Sequence, residues 1–265
     1  MHILVCVKQT PKSEQVKIDL TTGCLIRDGI ENVLNPYDRY ALESAVNLKE
    51  QLGGCVSVLT MGPARAAEVL RTCVALGADK AYHLCDKTFA GSDTWATSYG
   101  LSAAVKKINN LEKVDLILCG KQTNDSDTGN VGPQLAAWLN WPSAAFVKHI
   151  MKADLKAVTV ECLANNGINV LELPYPCVLS VEKEISCPRV ASVKGRLAAK
   201  RAEITQWTAE DIGADKNKLG LAHSPTQVVN SFAAPRTEQA VRVDGNTTQE
   251  KATQLVALLK ENKYL

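Results

Sequence analysis

The chain has 265 residues, 46% of them hydrophobic, with 30 basic against 28 acidic side chains and a formal net charge of +2. That is ample apolar material for a core, and a charge balance too even and dispersed to serve a nucleic acid or an anionic membrane surface. The opening MHILVCVKQT carries only a short apolar run before Lys8, which argues against a signal peptide or spanning helix there, so a cytoplasmic protein with no membrane insertion is expected.

Residues 3–7 read as a first buried strand, and residues 16–20 with 24–27 as a hairpin turning at Thr21-Thr22-Gly23. A helix follows, with Asn35 as its expected N-cap, Pro36 in the first position and Asp38 facing the positive end of the helix dipole. Tyr37, Ala41, Ala45, Leu48 and Leu52 form its apolar stripe, which Gly53 ends. Residues 55–61 are the next strand, and Gly62-Pro63 leads into a helix that turns Ala67, Leu70 and Val74 inward and closes at Gly77. A strand at 81–85, a helix at 95–108 and a strand at 116–119 continue the alternation, which is the grammar of a doubly wound parallel sheet covered on both faces.

Residues 115–138, DLILCGKQTNDSDTGNVGPQLAAW, carry the most chemistry. A buried strand ends at Gly120, a polar loop follows, and a helix opens at Val131 with Pro133 in its first turn and Leu135, Ala136 and Leu139 at helical spacing. Such a loop aims backbone N–H groups outward at the carboxyl edge of the sheet, where open α/β folds bind anions and nucleotides. Two readings stand on these residues alone: a phosphate cradle, or a plain cap in which Asp127 or Thr128 accepts a hydrogen bond from the helix start. Neither a Walker loop nor G-x-G-x-x-G is present to choose between them.

Past Trp141-Pro142 the pattern changes. Residues 157–163 and 168–173 flank Asn165-Asn166-Gly167 as a hairpin, and residues 177–181 form another apolar strand, so antiparallel strands extend the sheet. The α/β core domain is therefore drawn over residues 1–185, the nucleotide-binding domain if the loop is a cradle. Residues 186–265 are poor in strand signals and close with a helical stretch at 249–260 whose Ala252, Leu255, Val256 and Leu259 share a stripe, so they read as a partner-docking loop and arm. The nine cysteines contain no C-x-x-C, and Cys6, Cys55, Cys85 and Cys119 lie in or beside strand-like runs, which favours reduced core thiols over metal ligands. His2, His83, His149 and His223 match no triad, and no catalytic side chain is expected.

Taken together these segments resemble the β subunit of electron-transfer flavoproteins nearly end to end. The resemblance rests on VCVKQTP at 5–11, NPYDRYALESAVNLKE at 35–50, TMGPARA at 60–66 and ALGADKAYHL at 75–84. It continues through CGKQTNDSDTGNVGPQLAAWLNWP at 119–142, PRVASVKGRLAAK at 188–200 and LGLAHSPTQVV at 219–229. It implies a Rossmann-like sheet related to adenine nucleotide α-hydrolases, and an FAD-binding α subunit around which residues 186–265 wrap. An adenine nucleotide is implied over Cys6, over Asn35, Pro36, Tyr37 and Asp38, and over Met61. The rest of the implied cradle is Gly120, Lys121, Gln122, Thr123, Asn124, Asp125, Ser126, Asp127, Thr128, Gly129, Asn130 and Val131.

Residues 125–133, DSDTGNVGP, are similar to the loop of the branch that performs flavin-based electron bifurcation. That likeness implies FAD in the β site with NAD(H) beside it, hydride uptake from NADH, and single electrons passing to the α-subunit FAD and a low-potential carrier such as ferredoxin. Ser126 departs from the usual Gly of that branch, Gly129-Asn130 from its Ala-Gln, and the hairpin at 162–167 from its charged residues. The alternative is the non-bifurcating branch, with a structural AMP in place of FAD. A stand-alone nucleotide-binding enzyme of the universal-stress or adenine-hydrolase type would share the fold without needing the arm. The resemblance also implies docking to a partner dehydrogenase of the acyl-CoA or 2-hydroxy-acid type through Arg189, Val193 and Arg196, with Val193 as the anchor.

Overall fold

A computed structural model describes residues 1–12, 17–18, 25–26, 31–229 and 240–265. The chain divides into compact units at 1–230 and 231–265. In the first unit, short apolar runs build β1 (His2–Cys6), β6 (Cys55–Met61), β7 (Lys80–Leu84), β8 (Leu116–Gly120) and β12 (Cys177–Val181). Between them lie α1 (Pro36–Leu52), α2 (Ala67–Ala75), α3 (Thr94–Leu111) and α4 (Val131–Leu139). β9 (Ser143–Ala153), the hairpin β10 (Ala157–Ala164) with β11 (Gly167–Pro174), and β13 (Ile204–Trp207) complete a sheet ordered β11-β10-β9-β12-β8-β1-β6-β7-β13. Within this sheet only the β9–β10 and β10–β11 pairings of the described strands are antiparallel. The doubly wound, mostly parallel sheet with an antiparallel extension is as the sequence reads.

Alternation along β1 sorts the core into two layers. Ile3 and Val5 face Leu42, Val46 and Leu70 of α1 and α2, whereas Leu4 and Cys6 face Leu101, Val105 and Leu135 of α3 and α4. A strand buried on both faces has no polar side to display, which is why these runs are continuously hydrophobic. Asn165-Asn166 makes the two-residue turn, with Ala164 opposite Gly167. Of the expected hairpin near residue 20, Lys17–Ile18 pairs with Leu25–Ile26 as β3 and β4, and the turn at 21–23 lies outside the described residues. Gln9–Pro11 (β2) pairs with Asn32–Leu34 (β5) beside them.

The short β2–β5 pair escaped the sequence reading, and so did two strands of the large sheet. β9 carries Phe146 at φ 55, and its ladders shift register against both β10 and β12, so no clean alternation marks it. β13 joins β7 in parallel and brings Trp207 onto Tyr82, with Ala209, Ile212 and Leu219 buried after it. The compact unit therefore runs through the boundary drawn at residue 185, because the chain returns after α5 (Val193–Arg201) to complete the sheet edge. In the second unit, α6 (Thr248–Glu261) opens with a capping box between Thr247 and Glu250.

Candidate functional site

β1 is flanked by β6 and β8, and the connections leave it toward β6 and β7 before α3 carries the chain back to β8. Strand order thus reverses between β1 and β8, and the crevice at their carboxyl ends is where open α/β sheets take ligands. Cys6 and Cys119 are register partners at that edge. A hydrogen bond with Cys6 and complete burial hold the Cys119 thiol well above its ordinary range, so neither the position nor the chemistry suits a nucleophile.

Asn35 corrects a sequence expectation. It sits at the start of α1 but its side chain caps nothing there. Fully buried, it instead donates from Nδ2 to the Gln122 carbonyl at 2.9 Å and accepts from the Asn124 N–H at 3.3 Å. A side chain that could have served one helix end fixes the backbone of the loop after β8 instead. Lys8, which the sequence reading passed over, closes the same knot. Its carbonyl accepts from the Asn35 N–H at 3.0 Å, its N–H donates to Asp38 Oδ2 at 2.7 Å, and its ammonium meets Asp125 at 2.8 Å.

Gly120 passes so close to the first turn of α1 that a Cβ there would stand 2.4 Å from Asp38 Oδ1 and 2.8 Å from the Tyr37 backbone. Its smallness serves the packing of α1 on β8. Asp38 is buried in that contact, and burial pushes its pKa up to about 7 against hydrogen bonds from Asn35, Lys8 and Gly120. Its charge therefore complements the helix dipole less than the sequence suggested. Since the unfolded carboxyl titrates near 3.8, the folded protein binds the extra proton between pH 4 and 7, and this group's contribution to stability falls as pH rises through that window. The slope should approach ~1.4 kcal/mol per pH unit, and Asp38→Asn should remove it from chemical denaturation curves measured at pH 4.5 and 7.

The loop from Lys121 to Asn130 is folded on itself. Thr123 and Ser126 hydroxyls lie 2.7 Å apart, and the turn closes on the Thr123 carbonyl through the N–H groups of Ser126 and Asp127. Asp127, at φ 52, accepts from Gln122 Nε2 at 2.7 Å. Among the described residues no side chain caps α4, so the plain-cap reading of Asp127 or Thr128 fails. The N–H groups of residues 128–132 find no acceptor among the described residues. Asn124 Oδ1 and Gln134 Oε1 are buried acceptors without partners among the described residues. Unmet donors at a helix start beside unmet acceptors fit a ligand carrying both phosphate and hydrogen-bond donors.

Other expected residues fall differently. The Lys121 ammonium is committed to the buried Glu182 at 2.8 Å, a partner that no motif signals because it comes from beyond β12. Met61 ends β6 and packs against the α3 layer, near Gly100. Arg189 does not lie free for docking: its guanidinium binds Glu43 at 3.0 Å, Glu50 at 2.6 Å and Asn47 at 3.0 Å, all on α1. Val193 and Arg196 are exposed on α5. Val193 is not a lone hydrophobe, since Val190 and Leu197 are exposed beside it in the chain.

A doubly wound α/β sheet with a polar loop and an uncapped helix start at its switch point is an architecture on which many proteins bind nucleotides. Residues 22–212 match the family described as Electron transfer flavoprotein domain. The chain is 46% identical to the caffeyl-CoA reductase-Etf complex subunit CarD of Acetobacterium woodii, with all of both chains covered. It is 40% identical to the electron transfer flavoprotein subunit beta of Thermoanaerobacterium thermosaccharolyticum, again over all of both chains. With the protein FixA of Sinorhizobium fredii it shares 43% identity over 97% of this chain and 91% of that one. The chain belongs to the electron transfer flavoprotein β-subunit family, whose members pair with an α subunit. No described helix is long and apolar enough to cross a membrane.

Proposed function

We propose that the chain is the β subunit of a bifurcating or confurcating electron-transfer flavoprotein, cradling FAD with NAD(H) beside it. Together with its α subunit it would exchange electrons between NADH, a partner dehydrogenase and a low-potential carrier such as ferredoxin. The observation that carries the reading is the uncapped start of α4, with its unmatched N–H groups, at the β1/β8 switch point. The likeness of the loop at 125–133 to the bifurcating pattern favours FAD over AMP, and the relative named for a caffeyl-CoA reductase complex supports coupling to a reductase or dehydrogenase. When bound, FAD supplies the electron chemistry. The chain's own part is to fix the flavin's position through residues 120–131 and to tune its surroundings.

Purification with the α subunit, followed by mass identification of released nucleotides and an NADH oxidation assay, tests this. FAD from both subunits with NADH turnover is expected. One FAD accompanied by AMP would replace bifurcation with the non-bifurcating alternative, and an empty β site would remove the cradle altogether.

Expressed without the α subunit, the chain should aggregate or lose much of its stability. The outer strand β11 leaves Ile168 and Val170 more than half exposed at the edge of the sheet, and such edges self-associate unless covered. Among the described residues α6 buries none of its side chains fully, and Leu255 and Val256 of its stripe are exposed. A monodisperse, stable monomer in sedimentation runs would contradict the obligate pairing.

A further inference from the structure

At the edge of the sheet opposite the candidate cradle, where β1 and β6 begin and α3 ends, His2, Cys55 and Glu112 each bring one ligating atom to within 4.8 Å of the others. The His2 residue is only 3% exposed. Its Nε2 lies 2.7 Å from Ser57 Oγ. Its Nδ1 finds no hydrogen-bond partner among the described residues and stands 3.8 Å from Glu112 Oε2. Cys55 Sγ donates to Glu112 Oε1 at 3.5 Å.

Ser57 Oγ and the Glu112 carboxylate stand against opposite nitrogens of the His2 ring. When Nε2 gives its proton to Ser57, the Nδ1 lone pair faces a carboxylate with no proton between them. In that tautomer a nitrogen lone pair, a carboxylate and a thiol converge, an arrangement that a cation would satisfy. Lys80 reaches the same carboxylate from the other side and partly meets the need. A cavity of about 280 Å³, lined also by Met1, Gly54 and Asp115, opens onto the group.

We propose that His2 Nδ1, Cys55 Sγ and the Glu112 carboxylate form a binding site for a divalent transition-metal cation of the zinc class, with water completing its coordination. Nitrogen, sulfur and oxygen donors together suit zinc, whereas magnesium and calcium select oxygen alone. Ser57 acts as the outer partner that fixes the ring. Burial and the Glu112 charge push the free Cys55 thiol up to about 11, so binding the cation displaces its proton to solvent and Lys80 yields its share of Glu112. The site joins β1, β6 and the end of α3. Its ligands lie far apart in sequence, so no spacing motif announces it.

The test is titration of the metal-stripped complex with its α subunit, using Zn²⁺ by calorimetry and Co²⁺ by absorption. Saturable Zn²⁺ binding with proton release and a thiolate-to-cobalt charge-transfer band are expected. Cys55→Ser should abolish the band, and Cys55→Ser and Glu112→Gln should each weaken Zn²⁺ at least tenfold. Lys80→Gln should tighten binding by freeing the carboxylate, and Cys187→Ser, at an exposed thiol, should change nothing. Nucleotide content should stay constant throughout. Absence of saturable binding, or binding undiminished in both Cys55→Ser and Glu112→Gln, overturns the site. Should Cys55→Ser prove insoluble, Zn²⁺ must still raise the Tm of the unmodified protein and not that of Glu112→Gln, and equal shifts in the two overturn it.

Discussion

Replacing Thr128 or Asn130 with glutamate should strip the bound nucleotide from the protein as purified. Both residues precede the first turn of α4, where the N–H groups of residues 128–132 have no acceptor among the described residues. Those groups and the positive end of the helix dipole are what a phosphate would meet. A carboxylate placed there competes for the same donors and repels the phosphate, and occupancy should fall at least ~10-fold, about 1.4 kcal/mol. Folding should not suffer, since an acidic residue at a helix start is worth ~0.3–1 kcal/mol in its favour. The two effects have opposite signs, so a variant that loses nucleotide while melting no earlier, apart from the stabilisation the ligand itself provided, identifies the cradle. Asn130→Gln, which adds no charge, should retain the nucleotide better. Nucleotide content unchanged in both glutamate variants would place the cradle elsewhere.

The fold was largely legible because a sheet covered on both faces writes itself as short apolar runs, and each run near residues 3, 55, 81, 116 and 177 became a strand within a residue or so of its expected ends. β9 and β13 were not legible for different reasons. β9 shares its two edges between a parallel and an antiparallel neighbour and shifts register against both, so its burial follows no simple period. β13 spans only Ile204–Trp207 and gains its stability from stacking on Tyr82, a partner remote in sequence. The loop at 120–131 could be placed from its neighbours, but not the choice between cap and cradle. What holds the loop was not legible either, because Asn35 reaching across to Gln122 and Asn124 and Lys8 holding Asp125 are contacts that exist only once β1 and β8 lie side by side. Polar residues at helix starts have several uses, and tertiary context selects among them.

Arg189 and Val193, grouped by the sequence as one docking element, should separate cleanly on substitution. Glu43 is buried on α1, with its side chain 8% exposed, and Arg189 is its ion-pair partner among the described residues. Arg189→Ala leaves that carboxylate buried without its counter-ion and releases Glu50 and Asn47 as well. The cost should be about 3 kcal/mol, at the low end for breaking a buried pair because the guanidinium is itself 33% exposed. The loss should appear as an earlier denaturation midpoint with unchanged slope. Val193 is 77% exposed in the first turn of α5, directly after the N-cap Ser192. There Val193→Asp meets the favourable end of the helix dipole and should leave stability within ~0.5 kcal/mol. The same substitution should weaken electron transfer to the partner dehydrogenase by ~1–3 kcal/mol if Val193 fills a pocket on it, read as a rightward shift in concentration dependence. Gly195 lets both outcomes be read on one intact helix, because its lack of a side chain brings α5 against Ala75 of α2, where a Cβ would stand 2.2 Å from the carbonyl oxygen. Coupling that is unchanged in Val193→Asp, with stability intact, would move the docking site off α5, most naturally to the α subunit.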